Sequence, residues 1–147
     1  MKVNECMCKN VVYATPDTTL CNVAKMMADN HVGCIPICDT NKKVVGLVTD
    51  RDILLRSVAC DKDCKTTPVS DIMTTKVFEV SPNAEVSEAT KMMCDCQVRR
   101  IPVVENEKII GIITMGDLSN HPQVSKNEVS ETVEGICRCK NNPKNAE

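Results

Sequence analysis

The sequence predicts an α/β domain made of two β-α-β-β-α units packed with pseudo-twofold symmetry. One heptad, Gly-x-x-Thr-x-x-Asp, occurs twice, at residues 46–52 and 111–117. A shift of about 66 residues superposes further identical residues of the two halves, among them Val3 on Val69, Met7 on Met73 and Pro16 on Pro82. A single unit would leave one face of its small sheet uncovered, whereas two units can cover each other.

The elements of the first repeat follow from its apolar spacing. The predicted order is a strand at 11–14, a helix from Leu20 to about Asn30, strands at 34–38 and 44–48, and a helix from Thr49 through Val58. The first helix has one apolar face at i, i+3, i+4 and i+7, formed by Leu20, Val23, Ala24 and Met27. Pro36 lacks an amide hydrogen, so its strand requires an edge or a bulge at that position.

The second repeat has the same pattern. Its predicted elements are a strand at 77–80, a helix whose apolar face carries Val86, Ala89, Thr90 and Met93, and a hairpin of strands 100–104 and 109–113. The predicted organisation is repeat 1 over 3–58, a polar connector over 59–68, repeat 2 over 69–121, and a short helix with a polar tail over 122–147.

Composition limits the function. The chain has 147 residues, 42% apolar and 26% charged, which suits one soluble globular domain. The formal net charge of −2 provides no general attraction to nucleic acid or to an anionic membrane. We find no run of 18 apolar residues and no apolar signal core after Met1, so the expected location is the cytoplasm.

The repeated heptad permits two compatible interpretations. As a capping box, Thr49 and Asp52 would satisfy free amides at the start of a helix, a contribution of about 1 kcal/mol. As a ligand site, Gly46 would let another backbone or a flat ligand approach the strand, and the helix start would favour phosphate. An aspartate there can also accept hydrogen bonds from two ribose hydroxyls, each worth about 1.5–3 kcal/mol.

Taken together, the residues resemble a known family. The duplicated unit, with Ile-Pro on its second strand and Gly-x-x-Thr-x-x-Asp after its third, is similar to the tandem cystathionine-β-synthase (CBS) domain pair, or Bateman module, over residues 3–119. That resemblance implies one disc-like domain, clefts between the repeats, and a flat homodimer. It also implies a sensor that binds AMP, ADP, ATP or S-adenosylmethionine.

The resemblance implies a set of ligand-binding residues. Asp52 and Asp117 would bind the ribose, and Thr49 and Thr114 the ribose or phosphate; Asp50 and Arg51 adjoin them. The adenine pocket would be lined by residues of the first strands and of the Ile-Pro strands: Ala14, Thr15, Pro16, Val80, Pro82, Ile35, Pro36, Ile101 and Pro102.

The two sites are expected to be unequal. Arg99 and Arg100 precede Ile-Pro in the second repeat, where the first has Gly33 and Cys34. An arginine pair suits phosphate because guanidinium binds it with two parallel hydrogen bonds. The alternative is that both arginines occupy a solvated strand end.

The chain has 11 cysteines, which we interpret as reduced thiols because no signal peptide is apparent. Cys60 and Cys64 could chelate a metal at i, i+4 spacing, and Cys137 with Cys139 could join Cys6 and Cys8. Scattered thiols are the favoured interpretation, so no metal site is predicted.

The sequence thus favours a stand-alone regulatory module with an adenine nucleotide as regulatory ligand and no required cofactor. Neither His31 nor His121 has a catalytic partner at motif spacing, so an enzyme is not expected. The expected partners are the nucleotide, a second copy of the chain and a further protein. The alternative is a thiol- or metal-responsive interaction protein on the same fold without nucleotide binding.

Overall fold

The structure is a computed structural model, and it describes residues 1–138. These residues divide into two compact units, each with its own hydrophobic core. The first-repeat unit contains Asn10–Val77 with Glu105–Ile109. The second-repeat unit contains Met1–Lys9, Phe78–Val104 and the described residues from Ile110 onward.

The first-repeat unit has the predicted succession of helix, hairpin and helix. Its elements are α2 (Leu20–Asn30), β1 (Cys34–Cys38), β2 (Val44–Thr49) and α3 (Asp50–Arg56), preceded in the chain by α1 (Val3–Cys6). Helix α2 begins because the Thr19 hydroxyl accepts a hydrogen bond from the Asn22 amide at 3.3 Å. It ends at His31, whose left-handed backbone (φ 53°) turns the chain toward β1.

Strands β1 and β2 form the predicted antiparallel hairpin. The Asp39 carboxylate shapes its turn by accepting from the amides of Asn41 (2.8 Å) and Lys43 (3.0 Å). The register shifts between Ile37 and Cys38, so the expected irregularity lies just after Pro36.

The second-repeat unit repeats this succession and adds a final helix. Its elements are α4 (Val86–Cys96), β3 (Arg100–Glu105), β4 (Lys108–Thr114), α5 (Met115–Asn120) and α6 (Lys126–Cys137). Strands β3 and β4 are joined by Asn106 and Glu107, which both have positive φ (50° and 64°). Two successive positive φ values match the twist of a tight hairpin. The α/β fold of two similar repeats is therefore confirmed.

The predicted first strands are wrong as continuous elements. In place of strand 11–14, only Ala14 forms a bridge, parallel to Ile37. In place of strand 77–80, only Val80 forms one, parallel to Val103. Each segment pairs with the hairpin at one residue. It therefore makes the two hydrogen bonds of a single bridge and does not form a longer ladder.

The helix predicted from Thr49 through Val58 is also shorter than expected. Helix α3 ends at Arg56, and a 3₁₀ turn at Val58–Cys60 follows. The Ser57 backbone (φ −119°, ψ −69°) departs from helical values and separates the two.

The first residues of each repeat belong to the core of the other unit. Helix α1 is the start of repeat 1, yet Val3 and Cys6 belong to the core of the second-repeat unit. Val69 and Ile72, at the start of repeat 2, belong to the core of the first-repeat unit. The repeat boundaries at 3–58 and 69–121 stay a prediction. The two compact units do not coincide with these boundaries residue by residue.

Between residues 1 and 138, no helix has the length and apolar character needed to cross a membrane. The polar tail from Cys139 to Glu147 lies outside the described residues.

Candidate functional site

Both copies of the heptad form capping boxes at the start of a helix. In the first, Thr49 N–H donates to Asp52 Oδ2 (3.0 Å), and Asp52 N–H donates to Thr49 Oγ1 (3.1 Å). In the second, the amide and hydroxyl of Thr114 both donate to Asp117 Oδ2 (2.8 Å each). The capping interpretation is confirmed, and it fixes each carboxylate in the first turn of its helix.

The glycine of each heptad allows close approach of a protein segment. A Cβ placed on Gly46 would lie 2.5 Å from Met73 Sδ, and one on Gly111 would lie 2.5 Å from Met7 Sδ. A neighbouring backbone passes each strand as well, through the bridges of Thr74 to Leu47 and of Cys8 to Ile112. This space therefore holds methionine and backbone, the first of the two possibilities considered for these glycines.

The loop that precedes each first helix is attached to the Ile-Pro strand. Ala14 N–H donates to the Pro36 carbonyl (3.0 Å), and Cys38 N–H donates to the Ala14 carbonyl (2.8 Å). Val80 N–H donates to the Pro102 carbonyl (3.1 Å) in the same way. In each repeat, this loop therefore lies beside the Ile-Pro strand of the hairpin. The other strand of the same hairpin leads into the heptad.

The start of each capped helix is also attached to the residue before β1 or β3. Asp50 N–H donates to the Gly33 carbonyl (3.0 Å), and Met115 N–H donates to the Arg99 carbonyl (3.0 Å). The backbone of Arg99 therefore adjoins the first turn of α5, where Asp117 is fixed. In the first repeat, Gly33 occupies the equivalent place beside Asp50.

The expected ligand residues divide by exposure. Those with exposed or half-exposed side chains are Thr15, Pro16, Thr49, Asp50, Arg51, Asp52, Arg99, Arg100, Thr114 and Asp117. Those with buried side chains are Ala14, Ile35, Pro36, Val80, Pro82, Ile101 and Pro102. Both isoleucines have no exposed surface, and each lies in the core of its own unit. The accessible polar groups therefore come from the heptads, from the arginines and from Thr15.

The electrostatics of the two copies differ. The Asp52 carboxylate has Arg56 Nε at 3.9 Å, one helical turn further along α3. The residue four positions after Asp117 is His121, whose ring nitrogen accepts from the Gln123 amide instead. The first copy has a further acid, Asp50, at the position that Met115 occupies in the second copy.

Sequence reasoning missed Arg56, which joins three parts of the first-repeat unit. Its guanidinium adjoins Asp52 and donates from Nη1 to the Ile72 carbonyl (3.0 Å) and to Thr74 Oγ1 (3.3 Å). The i, i+4 spacing from Asp52 could have indicated the ion pair. The long-range acceptors had no signal in the sequence.

A cavity of about 460 Å³ lies apart from the heptads in the second-repeat unit. It opens beside α4 and α6 and is lined by Cys94, Asp95, Gln97, Glu131, Gly135 and Arg138. Within residues 1–138, no group of three or more His, Cys, Asp or Glu side chains is placed to hold a metal ion. The proposed tail site with Cys139 lies outside the described residues.

Two α/β repeats, each with an Ile-Pro strand and a Gly-x-x-Thr-x-x-Asp junction, define a tandem-repeat protein of the CBS type. The family model of the CBS domain matches residues 3–59 and 69–123. The chain therefore belongs to the CBS domain family, as its resemblance implied.

Similar proteins agree with this assignment. YlbB of Bacillus subtilis (strain 168) is 38% identical over 126 residues, which span 85% of this chain and 84% of that protein. The crystal structure of Hypoxic Response Protein I with two coordinated zinc ions has a TM-score of 0.76 at 29% identity, covering 82% of this chain and 98% of that one. The CBS domain pair of protein MJ0100, in complex with 5-methylthioadenosine and S-adenosyl-L-methionine, has a TM-score of 0.73 at 25% identity, covering 81% and 97%.

Proposed function

We propose that this protein is a regulatory module that binds an adenosine-containing ligand, AMP, ADP, ATP or S-adenosylmethionine. The observation that carries the proposal is the carboxylate fixed in the first turn of a capped helix, built twice at Asp52 and Asp117. The similarity to the MJ0100 domain pair, which was solved with two adenosine-containing ligands, supports the same ligand class.

The capping geometry leaves acceptor capacity for ribose. Among the described residues, both side-chain hydrogen bonds of Asp117 use Oδ2, and a carboxylate offers about four lone-pair sites in all. The Asp117 carboxylate can keep its cap and still accept from ribose hydroxyls. At about 1.5–3 kcal/mol for a hydrogen bond to a charged group, one such contact corresponds to roughly a 10- to 150-fold change in affinity.

The two copies favour different ligands. Near α5 the second copy has one acid, Asp117, with Arg99 adjoining the helix start, so it suits a phosphorylated ligand. The first copy has Asp50 and Asp52 beside Arg51 and Arg56, so its two arginines are balanced by two acids and leave no net positive charge for a phosphate. We therefore assign nucleotide phosphate to the second copy and an uncharged or cationic adenosine derivative to the first.

Self-association is part of the proposal. Three large apolar side chains of the α3 region are exposed: Leu54 (57%), Leu55 (46%) and Val58 (61%). Burying them against a second copy would stabilise a homodimer through the hydrophobic effect. The module would then signal to a further protein by a ligand-dependent change in stability or association.

A thermal-shift panel with AMP, ADP, ATP and S-adenosylmethionine tests the proposal. A ligand at about 100 times its dissociation constant stabilises the folded state by about 2.7 kcal/mol, which gives a readily measured rise in melting temperature. The expected result is a rise with at least one of the four. No rise with any of them contradicts the proposed function.

Variants then test the residue assignment. Asp117→Asn keeps an oxygen acceptor for the cap but removes the charge, so we expect weakened nucleotide binding with little loss of stability. The matched control is Ser125→Ala, which removes the side chain that caps α6 (3.1 Å to Glu128 N) without altering a heptad. An unchanged shift in Asp117→Asn and in Asp52→Asn would refute the assignment while leaving the function intact.

The alternative, a thiol- or metal-responsive interaction protein, receives support from the zinc ions of Hypoxic Response Protein I. Zinc and an oxidant are therefore included in the same panel. Shifts with these agents and none with a nucleotide would favour the alternative.

A further inference from the structure

We propose that Cys21 and Cys64 are a redox modification site, a pair of thiols that forms a reversible intramolecular disulfide. Cys21 lies in the first turn of α2, and Cys64 lies in the connector that follows the first repeat. The two are far apart in sequence, and the fold of the first-repeat unit brings their backbones into direct contact.

The contact is a backbone hydrogen bond within a short antiparallel crossing. Cys21 N–H donates to the Cys64 carbonyl at 2.8 Å, and Leu20 N–H donates to the Thr67 carbonyl at 3.0 Å. An antiparallel bridge between Thr19 and Pro68 continues the crossing. The connector is therefore held along the start of α2 by several independent backbone interactions.

This hydrogen bond limits the distance between the two Cα atoms. With standard bond lengths, an N···O separation of 2.8 Å keeps the Cα atoms of Cys21 and Cys64 within about 6.7 Å. Disulfides are formed between Cα atoms that lie roughly 4.4–6.8 Å apart. The backbone hydrogen bond thus keeps the two Cα atoms within the upper limit of the disulfide range.

Both thiols are accessible to a small reagent. Cys64 is exposed, Cys21 is half-exposed, and neither is in a disulfide. Cys64 also lies in a hydrogen-bonded turn, where the Asp63 carbonyl accepts from Thr67 N–H at 2.9 Å. A turn in an exposed connector adapts to a new cross-link more readily than a core strand, because fewer packed neighbours must move.

The chemistry is thiol–disulfide exchange with a low-molecular-weight disulfide as the oxidant. One protein thiolate attacks a sulfur of the reagent, forming a mixed disulfide and releasing one small thiol. The second protein thiolate attacks the protein sulfur of that mixed disulfide and displaces the second small thiol. The two cysteines are oxidised by two electrons, the reagent is reduced to two thiols, and the two protein protons leave with them.

Closure would connect the modification to the first-repeat loop. The residues after the connector are bonded to that loop, since Val69 N–H donates to the Thr18 carbonyl (2.8 Å) and Ser70 N–H to the Pro16 carbonyl (3.0 Å). A cross-link at Cys64 therefore restrains the segment that holds residues 15–18 in place. The disulfide would enclose about 44 residues and restrict the unfolded chain accordingly.

Peptide mapping after oxidation tests the site directly. The folded protein is treated with hydroxyethyl disulfide, its remaining thiols are alkylated, and it is digested with trypsin. Cleavage after lysine or arginine places Cys21 in peptide 10–25, Cys64 in peptide 63–65 and Cys60 in peptide 57–62. We expect peptides 10–25 and 63–65 to be joined, and to separate on reduction.

The melting temperature gives a second readout with a matched control. Oxidation is expected to raise it by roughly 5–15 °C in the wild type and in Cys60→Ser, but not in Cys64→Ser. Cys60 is also exposed and lies in the same connector, so its replacement controls for loss of a surface thiol. Cys64 joined to Cys60, Cys64 found only as a mixed disulfide, or an equal thermal rise in Cys64→Ser would each overturn the proposal.

Discussion

The two heptad glycines provide a test of packing that does not depend on any ligand. Neither Gly46 nor Gly111 has a positive φ, so alanine is compatible with the backbone at both positions. Only the space around the new methyl group opposes the substitution. At Gly46 the three nearest atoms all belong to the Met73 side chain, the closest at 2.5 Å. At Gly111 the Cys8 carbonyl oxygen also lies 3.0 Å away, and backbone cannot rotate aside.

The expected free-energy changes predict which of the two substitutions destabilises the protein more. Overpacking a well-filled site costs about 1–3 kcal/mol, whereas replacing glycine by alanine gains about 0.4–1 kcal/mol by restricting the unfolded chain. The steric cost therefore exceeds the gain at both sites. We expect Gly111→Ala to lose about 2 kcal/mol and Gly46→Ala about 1 kcal/mol. For a chain of this size, these losses lower the melting temperature by roughly 4–8 °C and 2–4 °C.

Double-mutant cycles measured by urea unfolding would identify the clashing atoms. Met73→Ala removes Sδ, Cγ and Cε, so Gly46→Ala should cost little or nothing in a Met73→Ala background. The expected coupling energy is about 0.5–3 kcal/mol. Met7→Ala should relieve Gly111→Ala only in part, because the Cys8 carbonyl remains. Additive costs for Gly46→Ala and Met73→Ala would refute the argument that Met73 fills this space.

Three further predictions follow from local contacts. Thr49→Ala and Thr114→Ala should each destabilise the protein by about 0.5–2 kcal/mol, with Thr→Ser restoring most of the loss in urea unfolding. The hydrogen bond and charge of Lys2, with the terminal ammonium, hold the pKa of Glu85 below its usual 4.5. Glu85 therefore contributes stability above pH 4.5 that is lost as the pH falls through its lowered pKa, and urea titrations from pH 3 to 6 should show a weaker pH dependence in Glu85→Gln. Burial, and to a smaller extent the charge of Asp117, raises the pKa of the Cys6 thiol. Cys6 should therefore react with iodoacetamide at pH 8 far more slowly than the exposed Cys60 and Cys137. Equal alkylation rates would contradict the buried position of Cys6.

Much of the fold could be predicted because the relevant signals are local. The helical spacing of Leu20, Val23, Ala24 and Met27 predicted α2. Leu20, Val23 and Met27 form its buried face, whereas Ala24 is exposed. The capping boxes at Thr49 and Thr114 were likewise predictable, since both partners lie within one helical turn.

The remainder depends on long-range packing, which a local pattern does not encode. Apolar residues 11–14 favour a strand, yet the tertiary structure lets only Ala14 pair. Nothing in the sequence near Val3 or Val69 indicates which core each side chain enters. In the sequence, the alignment of Met7 with Met73 between the two repeats was the one sign that these methionines make equivalent contacts, at Gly111 and at Gly46. The ligand assignments of Asp52 and Asp117 stay a prediction.

Isothermal titration of the full chain with AMP, ADP, ATP and S-adenosylmethionine tests whether the protein binds an adenosine-containing ligand through Asp52 and Asp117. We expect saturable binding of at least one ligand, weakened about 10-fold or more in the Asp52→Asn/Asp117→Asn double variant and unchanged in Ser125→Ala. Binding that is equally strong in the double variant would contradict the assigned carboxylates. The absence of binding by all four ligands to a folded wild-type protein would contradict the proposed function itself.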